Sequence, residues 1–299
     1  MGFGQQLLDE TIGITFSEAM KRTVGLSKRP KAYKQYKTAI KQQAKRVTQD
    51  SGIKIRYENT AERIAAKHGF KQETLKTLQT MEFLAEFHKM LISKGYKKPY
   101  SLDFVDRMLP KECGFVGQAI QDCIIYNPSC IDTLEFRVPI HETAHTMTKR
   151  LLGFSTLFKQ IGTSIVDKII PFMNKKEKEI CQNDFKRAWD EGYCKHNPIK
   201  AKLKAGMIDN RSVKHWKKHE PWKQYFDYAM TTRFEFIAEY FALASRGFKF
   251  SPETDSVYKK LHGPEIKEII TEEDLQKLEK LKKQILKKSL SDYGVTVDA

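Results

Sequence analysis

The stretch Val138-Pro-Ile-His141-Glu142-Thr143-Ala144-His145 contains the pattern H-E-x-x-H. On a helix, residues four apart lie on one face, one turn from each other. Two imidazoles so placed can bring ring nitrogens to one tetrahedral ion such as zinc. Glu142, between them, is placed to take a proton from a water activated by that ion. A chance H-E-x-x-H is expected on the order of 0.02 times in a chain with this few histidines. Chance is therefore a poor explanation. The bland alternative is two surface histidines beside a glutamate on an amphipathic helix.

A catalytic zinc site needs a third protein ligand and one open position. A third histidine close by, as in H-E-x-x-H-x-x-G-x-x-H, is absent, because Thr148 and Leu151 stand at those positions. His196, His215, His219 and the downstream glutamates are the remaining sources. The strongest segment is Arg233-Phe-Glu235-Phe-Ile-Ala-Glu239-Tyr-Phe-Ala242. Its two glutamates share a helix face in apolar surroundings, where carboxylates are costly unless paired or metal-bound. One glutamate, Glu235, would bind the metal. The other, Glu239, would orient a ligating histidine through its second ring nitrogen. Spacing alone also allows these two roles to be exchanged, or both glutamates to face solvent. His215 and His219 are also four apart, but Trp216, Lys217 and Lys218 beside them suit an exposed polar segment.

H-E-x-x-H followed far downstream by E-F-x-A-E-x-F resembles the anthrax lethal factor-like family of zincin (gluzincin-type) metallopeptidases. The resemblance spans about residues 75 to 250 and rests on these two motifs. It implies His141, His145 and Glu235 as ligands of one zinc ion per chain, with Glu142 as general base. It also implies Tyr228, seven residues before Glu235, as the group that stabilises the oxyanion. The implied activity is endopeptidase hydrolysis of a protein or peptide substrate.

Other elements must hold these residues. Leu75, Leu78, Met81, Leu84, Phe87, His88 and Ile92 predict a helix from Gln72 to Gly95. His88, on or beside its apolar face, reads as a packed residue. Tyr100 to Asp106 and Asp122 to Tyr126 predict strands, and Gly114 and Gly117 predict a turn between them. The motif helix is expected from Thr133 or Pro139 to Leu152, and the glutamate helix from Thr231 to Ser245. The expected fold is α+β and mostly helical. A small sheet packs on the active-site helix of a zincin-like domain at residues 73–250. A basic helical region at 1–72 and a charged helical tail at 251–299 flank it.

The formal charge is +16, from 53 basic and 37 acidic side chains. A solvated lysine-rich surface explains it more simply than nucleic-acid binding, since no nucleic-acid-binding signature accompanies it. Tyr33, Tyr36, Ile40 and Ala44 recur at helical spacing among the N-terminal lysines, which favours core packing there. No run of about 18 apolar residues predicts a membrane span, and no signal peptide is recognisable. The chain is therefore expected in the cytoplasm as synthesised, with leaderless export or delivery as an effector as the other route. Five cysteines without a C-x-x-C pair read as free thiols. Two rival functions are a catalytically idle zincin-like module in a phage or secretion assembly, and a basic nucleic-acid-binding protein.

Overall fold

Four short strands form one sheet in the order β1-β2-β4-β3. They are β1 (Lys54–Tyr57), β2 (Ser101–Phe104), β3 (Gly117–Ile120) and β4 (Cys123–Tyr126). The computed structural model describes residues 31–57, 70–105, 117–120, 122–128, 130–132, 134–151, 171–194 and 229–295. Strands β1, β2 and β4 run parallel, and β3 runs antiparallel to β4 at the edge. The register aligns Ile55, Leu102 and Ile124, and then Tyr57, Phe104 and Tyr126, on one face. Side chains alternate across a strand, so Arg56, Ser101, Asp103 and Cys123 share the other. There Arg56 forks onto Asp103, with Nε 2.7 Å from Oδ1 and a terminal nitrogen 2.6 Å from Oδ2.

The described residues include seven α-helices: α1 (Lys31–Ser51), α2 (Phe70–Ser93), α3 (Arg137–Leu151), α4 (Lys175–Asp190), α5 (Arg233–Ala244), α6 (Pro252–Lys260) and α7 (Glu272–Leu286). Helix α2 is the central one. Leu78, Met81, Phe83, Leu84, Phe87 and Leu91 on it are all fully buried. It stops before Gly95, which takes φ +76°, a conformation glycine adopts without a Cβ penalty. One continuous core runs from Tyr36 of α1 to Val295. The fold is thus mixed α+β, mostly helical, with a small sheet, as the sequence predicts.

Several local expectations change. The N-terminal region is not helical throughout, because Lys54–Tyr57 adds strand β1 to the sheet. Tyr36, Ile40 and Ala44 are buried, so that face of α1 is used in the core. Gly117 opens a strand instead of making a turn, and Gly114 lies outside the described residues. Pro252 begins a helix: it follows the N-cap Ser251, whose hydroxyl accepts the Thr254 N–H, and a first helical position has no use for the missing donor. Helix α7, in the charged C-terminal tail, packs into the core. Leu275, Leu278 and Ile285 are buried, and Gln79 of α2 donates to the carbonyls of Ile285 and Lys288 at 3.1 Å. Among the described residues Cys123, Cys130, Cys181 and Cys194 are free thiols. No described helix is long and apolar enough to cross a membrane.

Gly117 matters because a Cβ there would sit 3.1 Å from the Tyr126 ring and 3.2 Å from Val138 Cγ1. The Tyr126 ring is fully buried and its hydroxyl lies 2.8 Å from His88 Nε2. It has little room to yield. Gly117→Ala is expected to destabilise the fold by about 1–3 kcal/mol through overpacking. A urea midpoint equal to wild type would show that the ring gives way.

Candidate metal centre

Helices α3 and α5 pack directly on each other. Helix α3 also lies against β3 and β4. Pro139 falls in its first turn, where a proline is tolerated. Three of its threonines are buried and satisfied within the helix. The hydroxyl of Thr143 donates to Pro139 O, that of Thr146 to Thr143 O, and that of Thr148 to Ala144 O. This polar run can therefore enter the interior. His141, Glu142 and His145 are all buried.

Helix α5 is held on its other sides by aromatic contacts. Tyr240 stacks on Tyr258 and Phe250 with centroids 3.8 and 4.2 Å apart, and Phe236 meets Phe185 of α4. Its N-cap Thr232 accepts the Glu235 N–H at 3.2 Å. Thr232-x-x-Glu235 is a capping-box pattern, in which the glutamate would return to the cap backbone. Here only the threonine half is made. The Glu235 carboxylate turns toward the histidines instead.

Two ladders with i, i+4 spacing thus face each other. His141 Nε2 and His145 Nε2 lie 3.0 Å apart. Glu235 Oε2 is 3.2 Å from the first and 3.4 Å from the second. That oxygen is buried, yet none of its approaches has hydrogen-bond geometry. One turn on, Glu239 Oε1 lies 3.1 Å from His141 Nδ1. Glu239 is fully buried and also contacts Arg137. Glu142 takes a different direction, and its Oε2 accepts the Ala119 N–H of β3 at 2.6 Å. One ligand-type atom each from His141, Glu142 and His145 falls within 4.8 Å of the other two. This buried group can hold a metal ion. Glu235 is the most exposed of the converging side chains, at 21 %, and marks the open side.

Electrostatics agree with the geometry. Burial opposes charge on His141, but the carboxylates of Glu239, Glu235 and Glu142 outweigh it and raise its pKa to about 10. Burial would push Glu235 up, yet His145 and His141 hold it well below the usual carboxylate range. Glu239 behaves likewise, brought down to about 2 by Arg137 and His141 against its burial. With both imidazoles neutral, the carboxylates of Glu142, Glu235 and Glu239 outnumber the Arg137 charge and leave the cluster anionic. A proton on His141 partly answers that charge. A divalent cation answers it better and also uses the lone pairs that converge there.

The structure therefore brings together His141, Glu142, His145, Glu235 and Glu239. Tyr228, and the alternative ligands His196, His215 and His219, lie outside the described residues. Sequence reasoning misses Arg137 and the Ala119 amide. Arg137 could have been found, since it precedes His141 by four residues on the same face. The amide leaves no sequence signal. No protein-family model, curated protein or solved structure matches this chain.

Proposed function

We propose that the chain is a zinc-dependent metallopeptidase with one zinc ion held by His141, His145 and Glu235, in a zincin-like domain similar to the lethal factor-like family. The observation that carries this reading is the ligand triangle, with edges of 3.0, 3.2 and 3.4 Å. Bonds of about 2.0–2.1 Å to a tetrahedral zinc imply edges of about 3.3–3.4 Å. Two histidines and a glutamate are also a donor set used by catalytic zinc with one position open.

When bound, zinc lowers the pKa of a coordinated water to about 7 and polarises a peptide carbonyl. The protein's own groups do the rest. Glu142 removes the proton from the attacking water and delivers it to the leaving amine nitrogen. The Ala119 N–H holds that carboxylate in place through a 2.6 Å hydrogen bond. Glu239 Oε1, 3.1 Å from Nδ1 of His141, would accept from that nitrogen in the loaded site and so fix which nitrogen faces the metal. The resemblance gives Tyr228 the role of donating to the oxyanion.

Elemental analysis of the purified chain tests the reading. Wild type should carry one zinc, lost in Glu235→Ala and largely kept in Glu239→Ala. A folded wild type that takes up no zinc when supplied with it would sink the proposal.

A further inference from the structure

We propose that Arg137 is a positioning residue of the metal centre, holding the Glu239 carboxylate against Nδ1 of His141 so that Nε2 faces the ligand triangle. This rests on the metal-centre reading above and extends it one residue outward. Arg137, His141 and His145 stand at i, i+4 and i+8, on one face of α3. The same carboxylate oxygen, Glu239 Oε1, touches the Arg137 guanidinium and lies 3.1 Å from His141 Nδ1. Glu239 has no exposure to water, and Arg137 is 16 % exposed. Arg137 Nε in turn lies 3.5 Å from Glu135 Oε2, which ties the guanidinium to the chain just before α3.

A buried carboxylate needs a cation as well as hydrogen bonds. In the loaded site His141 is neutral. It can give Glu239 a hydrogen bond but no charge, and Arg137 supplies the charge. The planar guanidinium also sets direction, because it is held between two carboxylates. Without it, Glu239 would be drawn toward another cation and His141 would lose the group that orients its ring. A purely structural ion pair joining α3 to α5 would have the same contacts. It would not act through Glu239 on the metal.

The test is a double-mutant cycle on zinc(II) affinity, measured on the full chain by competition with a chromophoric chelator. Arg137→Met is expected to weaken zinc binding about tenfold to a hundredfold, the range typical for a partner of a ligating histidine. Arg137→Lys, which keeps the charge and loses the planar guanidinium, should fall between Arg137→Met and wild type. In a Glu239→Gln background neither substitution should cost anything further. Cobalt(II)-loaded Arg137→Met should show altered d–d absorption, which a remote packing defect would leave alone. Equal losses with glutamate or glutamine at position 239 would overturn the proposal, as would wild-type affinity in Arg137→Met. If Arg137→Met does not fold, Arg137→Lys taken through the same cycle separates the two cases by the same criterion. A wild type that binds no zinc fails before any variant is compared, and that outcome removes the metal centre itself.

Discussion

Glu142→Gln is expected to retain its zinc and lose peptide hydrolysis by about 10²- to 10⁴-fold. The substitution is nearly isosteric. The glutamine carbonyl can still accept the Ala119 N–H that now holds Glu142 Oε2 at 2.6 Å. The ligand triangle of His141, His145 and Glu235 involves no atom of Glu142. Only the capacity to take up and release a proton is removed. The measurement is kcat/KM on a peptide library substrate, with metal content determined on the same sample. Turnover equal to wild type would end the general-base assignment. His145→Ala makes the contrast, because it should lose metal and activity together. If Glu142→Gln also lost its metal, Glu142 would be a ligand, as its nearness to both imidazoles permits.

How far such a site can be read from sequence depends on periodicity. The spacing of His141 and His145, and of Glu235 and Glu239, defines one face on each helix. Buried carboxylates require cations, which makes the two faces natural partners across about ninety residues of chain. The roles of the two glutamates are not legible in that way. They depend on which one lies at the mouth of the ladder, and α5 places Glu235 beside both Nε2 atoms and Glu239 behind His141. Strand β1 is hidden in the sequence because Lys54-Ile-Arg-Tyr57 has one fully apolar residue and two charges. One of those charges, Arg56, is spent on Asp103 in the next strand, a partner 47 residues away. Helix α6 is hidden because it begins at Pro252, and only the Ser251 cap places that proline at the first helical position. In each case a contact distant in sequence, or the local cap, decides what composition leaves open.

His88 should make the metal-free protein acid-labile well above the range in which carboxylates titrate. It is fully buried, with Nε2 2.8 Å from the Tyr126 hydroxyl, and its Nδ1 has no hydrogen-bond partner among the described residues. A charged ring there would be unsolvated, and burial lowers the His88 pKa to about 3. The folded chain therefore refuses a proton that the unfolded chain accepts below about pH 6.5. Stability from this group is intact above that pH and is lost as pH falls toward 3. By pH 4.5 the loss amounts to about 2 kcal/mol. His141 does not confound the window. Its pKa in the metal-free site is raised to about 10, so its contribution is complete below about pH 6.5 and disappears only as pH rises through 10. The depressed carboxylates of Glu235 and Glu239 lose their contributions mainly below pH 4.5. Urea titrations in chelator at pH 6.5 and 4.5 isolate the effect. His88→Gln keeps a hydrogen-bonding group for the Tyr126 hydroxyl but cannot titrate, and it should lose about 2 kcal/mol less than wild type between the two pH values. Equal losses in the two proteins would mean that His88 takes up its proton within the fold, and that the interior between α2 and the sheet admits water.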